Sequence, residues 1–218
     1  MTRQPIPPKR MKVICMILKA PRVGTVKTRL AREIGAERAT LIYRDMVEHQ
    51  VRAIPPGWNV SVHFCPADAG EEMEAWLKPS LPASTRFAPQ CDGDLGRRLG
   101  AVVRSEFQNG AERVFLVGGD CPGICHDYFT EADAHLNETD LVIGPATDGG
   151  YVLLGLKDQH VELFENIAWS TNMVLEQTLA NAIRGSLSLR LLQTLEDIDD
   201  AASLQRHFRL LSISLYHP

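Results

Sequence analysis

Short apolar runs recur along the chain, and between them lie segments whose apolar residues return every three or four positions. Val13 to Leu18 is the first run, uncharged and short, which predicts a central parallel strand. From Ala36 to Ile54, the residues Ala39, Tyr43, Met46, Val47, Val51 and Ile54 mark one apolar face of a helix that Pro55 and Pro56 end. Val60 to Phe64 alternates as a second strand, Glu71 to Leu77 is a short helix stopped by Pro79, and Arg86 and Phe87 belong to a short third strand. Gln90 to Arg98 opens a helix with Leu95, Leu99, Val102, Val103 and Phe107 inward, capped by Asp92 or Asp94. Val114 to Val117 is an unbroken apolar run that leads straight into Gly118, Gly119, Asp120 and Pro122. A helix over Tyr128 to Leu136, a strand over Asp140 to Gly144, and a turn with an apolar strand over Pro145 to Leu156 follow. A helix sharing Leu175, Thr178, Leu179 and Ala182 on one face, a strand over Leu187 to Leu192 and a closing helix around Leu204 complete the pattern. Strands alternating with helices predict an α/β protein.

Composition adds bounds. With 218 residues and 44% hydrophobic content the chain can bury one core, and no break in composition argues for a second domain. No stretch approaches the roughly 18 consecutive apolar residues of a membrane helix. The opening M-T-R-Q-P-I-P-P-K-R lacks the apolar centre of a secretory signal, so the expectation is a cytoplasmic protein whose residues 1–10 form a loose tail before a single domain over 11–218. Five cysteines, an odd number scattered singly, fit reduced thiols; Cys121, Cys125 and His126 lack a fourth partner for zinc. The net charge of −4 argues against a nucleic-acid surface. It is unevenly spread, with nine Lys or Arg and no acid from Met1 to Arg32, and Glu196, Asp197, Asp199 and Asp200 close together near the far end. Such a basic start suits a small anionic ligand such as a diphosphate.

Candidate chemistry follows from what stands at the strand ends. Asp120 ends the run from Val114 to Val117, where open α/β sheets bind ligands, although an aspartate there also starts many helices as an N-cap. Lys19, Arg22, Gly24, Lys27 and Arg29 lie between the first strand and a helical pattern, so cations and backbone amides can converge on a phosphate. This is no Walker loop, because Val26 stands where glycine must precede the lysine. Arg97 and Arg98 sit in a helix's first turn, against its dipole, and a bound anion would offset that conflict. Asp148, Gly149, Gly150 and Tyr151 form a turn that a hairpin alone explains, yet it pairs a second acid with an aromatic after a strand. Trp169, Ser170 and Thr171 precede a helix; the hydroxyls suit a cap and the indole suits stacking on a sugar or base.

The order of these motifs (a strand and basic loop, G-G-D-C-P, D-G-G-Y, W-S-T and a terminal D-I-D) resembles the glycosyltransferase-A superfamily of nucleotide-diphosphosugar transferases. Within it the chain is similar to a bacterial family catalogued as a domain of unknown function and associated with arsenosugar-type glycosyltransferases. The resemblance runs from about Val13 to Leu204. It implies a Rossmann-like, mixed and mostly parallel sheet sandwiched by helices, a nucleotide at the N-terminal half, and Mg2+ or Mn2+ near the middle. The diphosphate would lie on the loop from Lys19 to Arg29, with Lys27 and Arg29 in contact, and Asp120 would stand at the metal-binding acid of a D-x-D motif whose first position is here Gly118. Asp148 is either a second metal ligand or the base toward an acceptor hydroxyl, and Arg97, Gly149, Gly150, Tyr151, Trp169, Ser170 and Thr171 are candidates for substrate contact. The implied activity is transfer of a sugar from a nucleotide sugar to a small hydroxylated acceptor. The alternatives are a nucleotidylyltransferase releasing pyrophosphate, and a silent nucleotide-binding module. Nucleotide base, acceptor and oligomeric state stay open.

Overall fold

A computed structural model describes residues 11–207; the expected tail at 1–10 lies outside the described residues. The strands are β1 (Lys12–Lys19), β2 (Asn59–Cys65), β3 (Arg86–Pro89), β4 (Arg113–Val117), β5 (Leu141–Pro145), β6 (Tyr151–Leu156) and β7 (Leu189–Leu191). They form one seven-stranded sheet in the order β3-β2-β1-β4-β6-β5-β7. β6 runs antiparallel to both its neighbours, β4 and β5, and the other pairs are parallel. The helices are α1 (Thr28–Ile34), α2 (Ala36–Ala53), α3 (Gly70–Leu77), α4 (Leu95–Gln108), α5 (His126–His135), α6 (Val174–Arg184) and α7 (Ala201–His207).

The period of two along the strands divides the apolar residues between two cores. Ile14, Met16, Leu18, Phe115 and Val117 face one side, with residues of α1, α2, α3, α5 and α7. Val13, Cys15, Val114 and Leu116 face the other, with Leu99, Val102 and Val103 of α4 and Ala182 of α6. Burial on both faces is what makes β1 and β4 read as continuous apolar runs.

β2 departs from the alternation read in its sequence. Its polar Ser61 and His63 are as buried as Val60 and Val62, because β2 lies between β1 and β3 and α4 covers its second face. There His63 Nε2 lies 2.8 Å from Ser61 Oγ and 3.2 Å from Glu106 Oε1 on α4, and Arg86 of β3 pairs with the same Glu106. Buried carboxylate, imidazole and hydroxyl thereby satisfy one another, and the half-exposed Arg86 guanidinium closes the group from the solvent side.

The chain order β1, β2, β3 moves to one side of β1, and β4 then returns to the other side. That reversal leaves a crevice at the carboxyl ends of β1 and β4, the place where ligands enter such sheets.

Candidate active site

A cleft of about 440 Å³ opens at that reversal. Leu18 and Lys19 from β1, Val117 at the end of β4 with Gly118 to Asp120 beyond it, and Lys27, Arg29 and Asp199 line it together with Gln90, Arg98 and Tyr151. Its near wall is pinned from two sides. The Tyr43 hydroxyl on α2 accepts from Lys19 N at 3.0 Å and donates to Lys19 O at 3.1 Å. Gln90 Nε2 donates to Leu18 O at 3.0 Å and to His63 O at 2.9 Å, so its two amide hydrogens clamp the ends of β1 and β2.

Asp120 does not cap a helix. α5 begins six residues later with Cys125 at its N-cap, which leaves the Asp120 carboxylate 43% exposed at the cleft. Gly119 is fixed by packing: a Cβ there would stand 2.7 Å from both Leu18 Cδ2 and Val47 Cγ2. The next residue, Cys121, is buried and its thiol is pushed up to about 12, chiefly by burial, so it stays protonated and is no nucleophile.

Lys27 occupies the centre of the site. It precedes α1 in the left-handed region, with φ 46° and ψ 48°, a conformation that costs a non-glycine residue about 1–2 kcal/mol. Its side chain is only 6% exposed, and Nζ lies 3.2 Å from Asp120 Oδ2 and 2.9 Å from Asp199 Oδ1. Burial opposes the charge, but Asp120 and Asp199 outweigh it and hold the ammonium above the ordinary lysine value. Arg29 reaches the other oxygen of Asp199 at 3.4 Å and remains 75% exposed.

The terminal D-I-D supplies the remaining acids. The segment after β7 continues along β5, with Leu192 N on Ile143 O and Leu195 N on Pro145 O, and then crosses to the loop that follows β4, where Ile198 N donates to Asp120 O at 3.0 Å. Ile198 is fully buried, so Asp197 and Asp199 on either side of it are turned toward Asp120. One carboxylate oxygen from each of Asp120, Asp197 and Asp199 lies within 4.8 Å of the others. Burial, followed by the fields of Asp120, Asp148 and Asp199, pushes the Asp197 carboxyl up to about 6. Three converging carboxylates are the donor set that a hard divalent ion takes, and the Lys27 ammonium already pairs with two of them, so these residues fit Mg2+ or Mn2+.

The sequence candidates separate on this map. Lys19, Lys27, Arg29, Asp120 and Tyr151 line the cleft. Arg22 turns away, donating from Nε to Glu72 at 3.0 Å and from Nη1 to Asp68 at 3.2 Å, and neither it nor Gly24 forms part of the wall. Of the arginine pair on α4, Arg98 lines the cleft and Arg97 does not; Asp94, the N-cap, accepts from Arg97 N at 2.8 Å. Asp148 is exposed in the β5–β6 hairpin turn, its Oδ1 accepting from Gly150 N at 2.8 Å, and it acts on the acidic group through its field on Asp197. Gly149, at φ +89°, supports the W-S-T loop: its O accepts from Leu175 N, and a Cβ would stand 2.3 Å from Asn172 O. Trp169 packs over Gly96, where a Cβ would meet its Nε1 at 2.8 Å. Ser170 and Thr171 do not cap α6, whose N-cap is Met173 with no side-chain bond; the Thr171 hydroxyl donates to Ala168 O and accepts from Met173 N. Trp169, Ser170 and Thr171 therefore shape a loop outside the cleft wall among the described residues.

Gln90, Asp197 and Asp199 were not singled out as site residues by sequence, and of the marked pair Arg97 and Arg98 the substrate contact was expected of Arg97. The terminal acidic segment was visible as a charge cluster, but its distance along the chain from Asp120 hides the contact. Nothing in the sequence shows that Gln90 bridges two strand ends.

This sheet order and this cleft define an α/β fold of the nucleotide-diphospho-sugar transferase type. A candidate nucleotide-diphospho-sugar transferase from Desulfovibrio desulfuricans G20 superposes with a TM-score of 0.85 at 29% identity, over 95% of this chain and 90% of that one. The 4-diphosphocytidyl-2C-methyl-D-erythritol synthase of Anaerococcus prevotii DSM 20548 shares the fold at a TM-score of 0.58 and 11% identity, over 89% and 94% of the two chains. A CMP:2-keto-3-deoxy-manno-octonic acid synthetase in complex with CTP does so at 0.57 and 10%, over 92% and 98%. No curated protein matches the chain. Residues 50–171, more than half of the chain, match the family described as an uncharacterized protein conserved in bacteria (DUF2064), and the chain belongs to that family.

Proposed function

We propose that this protein is a glycosyltransferase that takes a sugar from a nucleotide-diphosphate donor to a small hydroxylated acceptor, of the arsenosugar type that its motifs resemble. The observation that carries the reading is the buried Lys27 ammonium between Asp120 and Asp199 at the carboxyl ends of β1 and β4. A cation held by carboxylates at the sheet's reversal point is suited to phosphate oxygens, since departure of a nucleoside diphosphate builds negative charge there. Lys27 and Arg29 receive that charge, and Lys19 borders the same wall. Asp120, Asp197 and Asp199 would hold Mg2+ or Mn2+, which when bound neutralises diphosphate oxygens as a Lewis acid. Gln90 keeps both amide hydrogens on backbone carbonyls, so it offers the ligand its carbonyl oxygen. Asp148, exposed beside the acidic group, is the candidate base toward the acceptor.

The test is a thermal-shift panel of nucleoside mono-, di- and triphosphates and nucleotide sugars with and without manganese, followed by turnover of the donors that bind. Asp120→Asn should keep the fold and lose turnover by about a hundredfold or more. Failure of every nucleoside diphosphate and nucleotide sugar to bind removes the proposal. The likeness of fold to a CTP-bound synthetase supports a second reading, a nucleotidylyltransferase. Pyrophosphate released from a nucleoside triphosphate would decide for it.

A further inference from the structure

We propose that Lys27 and a divalent cation are alternative occupants of one carboxylate cluster, so that divalent binding is weak until phosphate oxygens draw the Lys27 ammonium away from Asp120 and Asp199. The first half of this statement stands on geometry; the second rests on the reading of the cleft as a diphosphate site.

Lys27 Nζ uses Asp120 Oδ2 and Asp199 Oδ1, two of the residues whose oxygens converge within 4.8 Å. A divalent ion bound to carboxylates sits about 2.0–2.6 Å from its oxygens, closer than the ammonium does. Drawing on the same oxygens, it would stand within about 4 Å of Nζ, where like charges repel strongly in a partly buried site. Both cations cannot keep these contacts. Lys27 is the one able to yield, because its charge sits on a flexible four-carbon stem and its side chain already borders the cleft together with Lys19 and Arg29. Its backbone stays in place at the start of α1, so the exchange needs side-chain rotation alone. Arg29 cannot take over the role, being 75% exposed and in contact with Asp199 at 3.4 Å. Reciprocity then requires that phosphate ligands strengthen metal binding by the same factor by which metal strengthens theirs. Lys27 thus acts as an internal cation that ties metal loading to donor arrival.

The experiment measures free Mn2+ by electron paramagnetic resonance during titration of wild type and Lys27→Met with no phosphate compound present. Lys27→Met should bind manganese at least about tenfold more tightly, about 1.4 kcal/mol. Adding Asp199→Asn to Lys27→Met should cancel the gain. Equal manganese affinity of wild type and Lys27→Met overturns the proposal. If Lys27→Met does not fold, Lys27→Gln/Asp197→Asn is compared with Asp197→Asn, where the same gain is expected and its absence is equally fatal. Calorimetry with ADP, GDP, CDP and UDP in EDTA and then in manganese reads the coupling: metal should tighten wild-type binding at least about tenfold, and less in Lys27→Met. An enhancement unaffected by Lys27→Met overturns the coupling, whereas no binding of any diphosphate under either condition refutes the functional reading and leaves the manganese comparison to judge the exchange.

Discussion

Asp197→Asn should make the protein more stable at neutral pH. Burial and three neighbouring acids, Asp120, Asp148 and Asp199, push the folded-state carboxyl up to about 6. An unfolded chain holds an aspartate near about 3.9, and each unit of difference is worth about 1.36 kcal/mol. Two units give a ceiling of about 3 kcal/mol, which partial solvent access reduces to about 1–2 kcal/mol. The sign follows from proton binding. Between about pH 4 and pH 6 the folded chain keeps a proton that the unfolded chain has released, so stability falls as pH rises through that window, and the whole penalty is present above it. Asparagine carries no charge and escapes the penalty. Urea unfolding without divalent ions, followed by circular dichroism from pH 4 to pH 7.5, should show the variant about 1–2 kcal/mol more stable at pH 7.5, with the two curves meeting near pH 4. Equal stability at pH 7.5, or a gain that does not change with pH, would refute the reasoning.

Lys27→Met should weaken binding of a nucleoside diphosphate by about 10- to 100-fold in calorimetry, the worth of a charge-assisted hydrogen bond, whereas Arg22→Ala, whose partners are Asp68 and Glu72, should change it by less than about threefold. Comparable losses in the two variants would place the phosphate elsewhere on the loop. Gly149→Ala puts a Cβ 2.3 Å from Asn172 O at φ +89°, and urea midpoints should report a loss of about 2 kcal/mol or more. A neutral outcome would show that the hairpin and the W-S-T loop are not rigidly joined. Glu106→Ala leaves buried His63 with Ser61 alone and turns the Arg86 guanidinium, 42% exposed, over to solvent, and should cost about 1–3 kcal/mol in chemical denaturation. A cost below about 1 kcal/mol would show that the network contributes little.

The order of strands and helices was legible in the sequence because burial on two faces writes itself locally: Val114 to Val117 must be apolar at every position to sit between two helical layers. The chain's punctuation was equally local, as in Pro55 and Pro56 ending α2 and Asp94 capping α4. Asp120 and the basic loop could be marked for the same reason, since each follows directly from a strand end. Which cations face the cleft was decided by tertiary structure. Arg22 and Lys27 look alike in sequence, but α3 supplies Glu72 to one and the D-I-D segment supplies Asp199 to the other. Arg97 and Arg98 differ by one position on a helix, and only the packing of α4 chooses between them. The acidic group itself joins Asp120 to Asp197 and Asp199 across about a third of the chain, through Ile198 entering the core. Contacts between distant segments depend on the closing of the whole fold, and a local pattern carries no record of them.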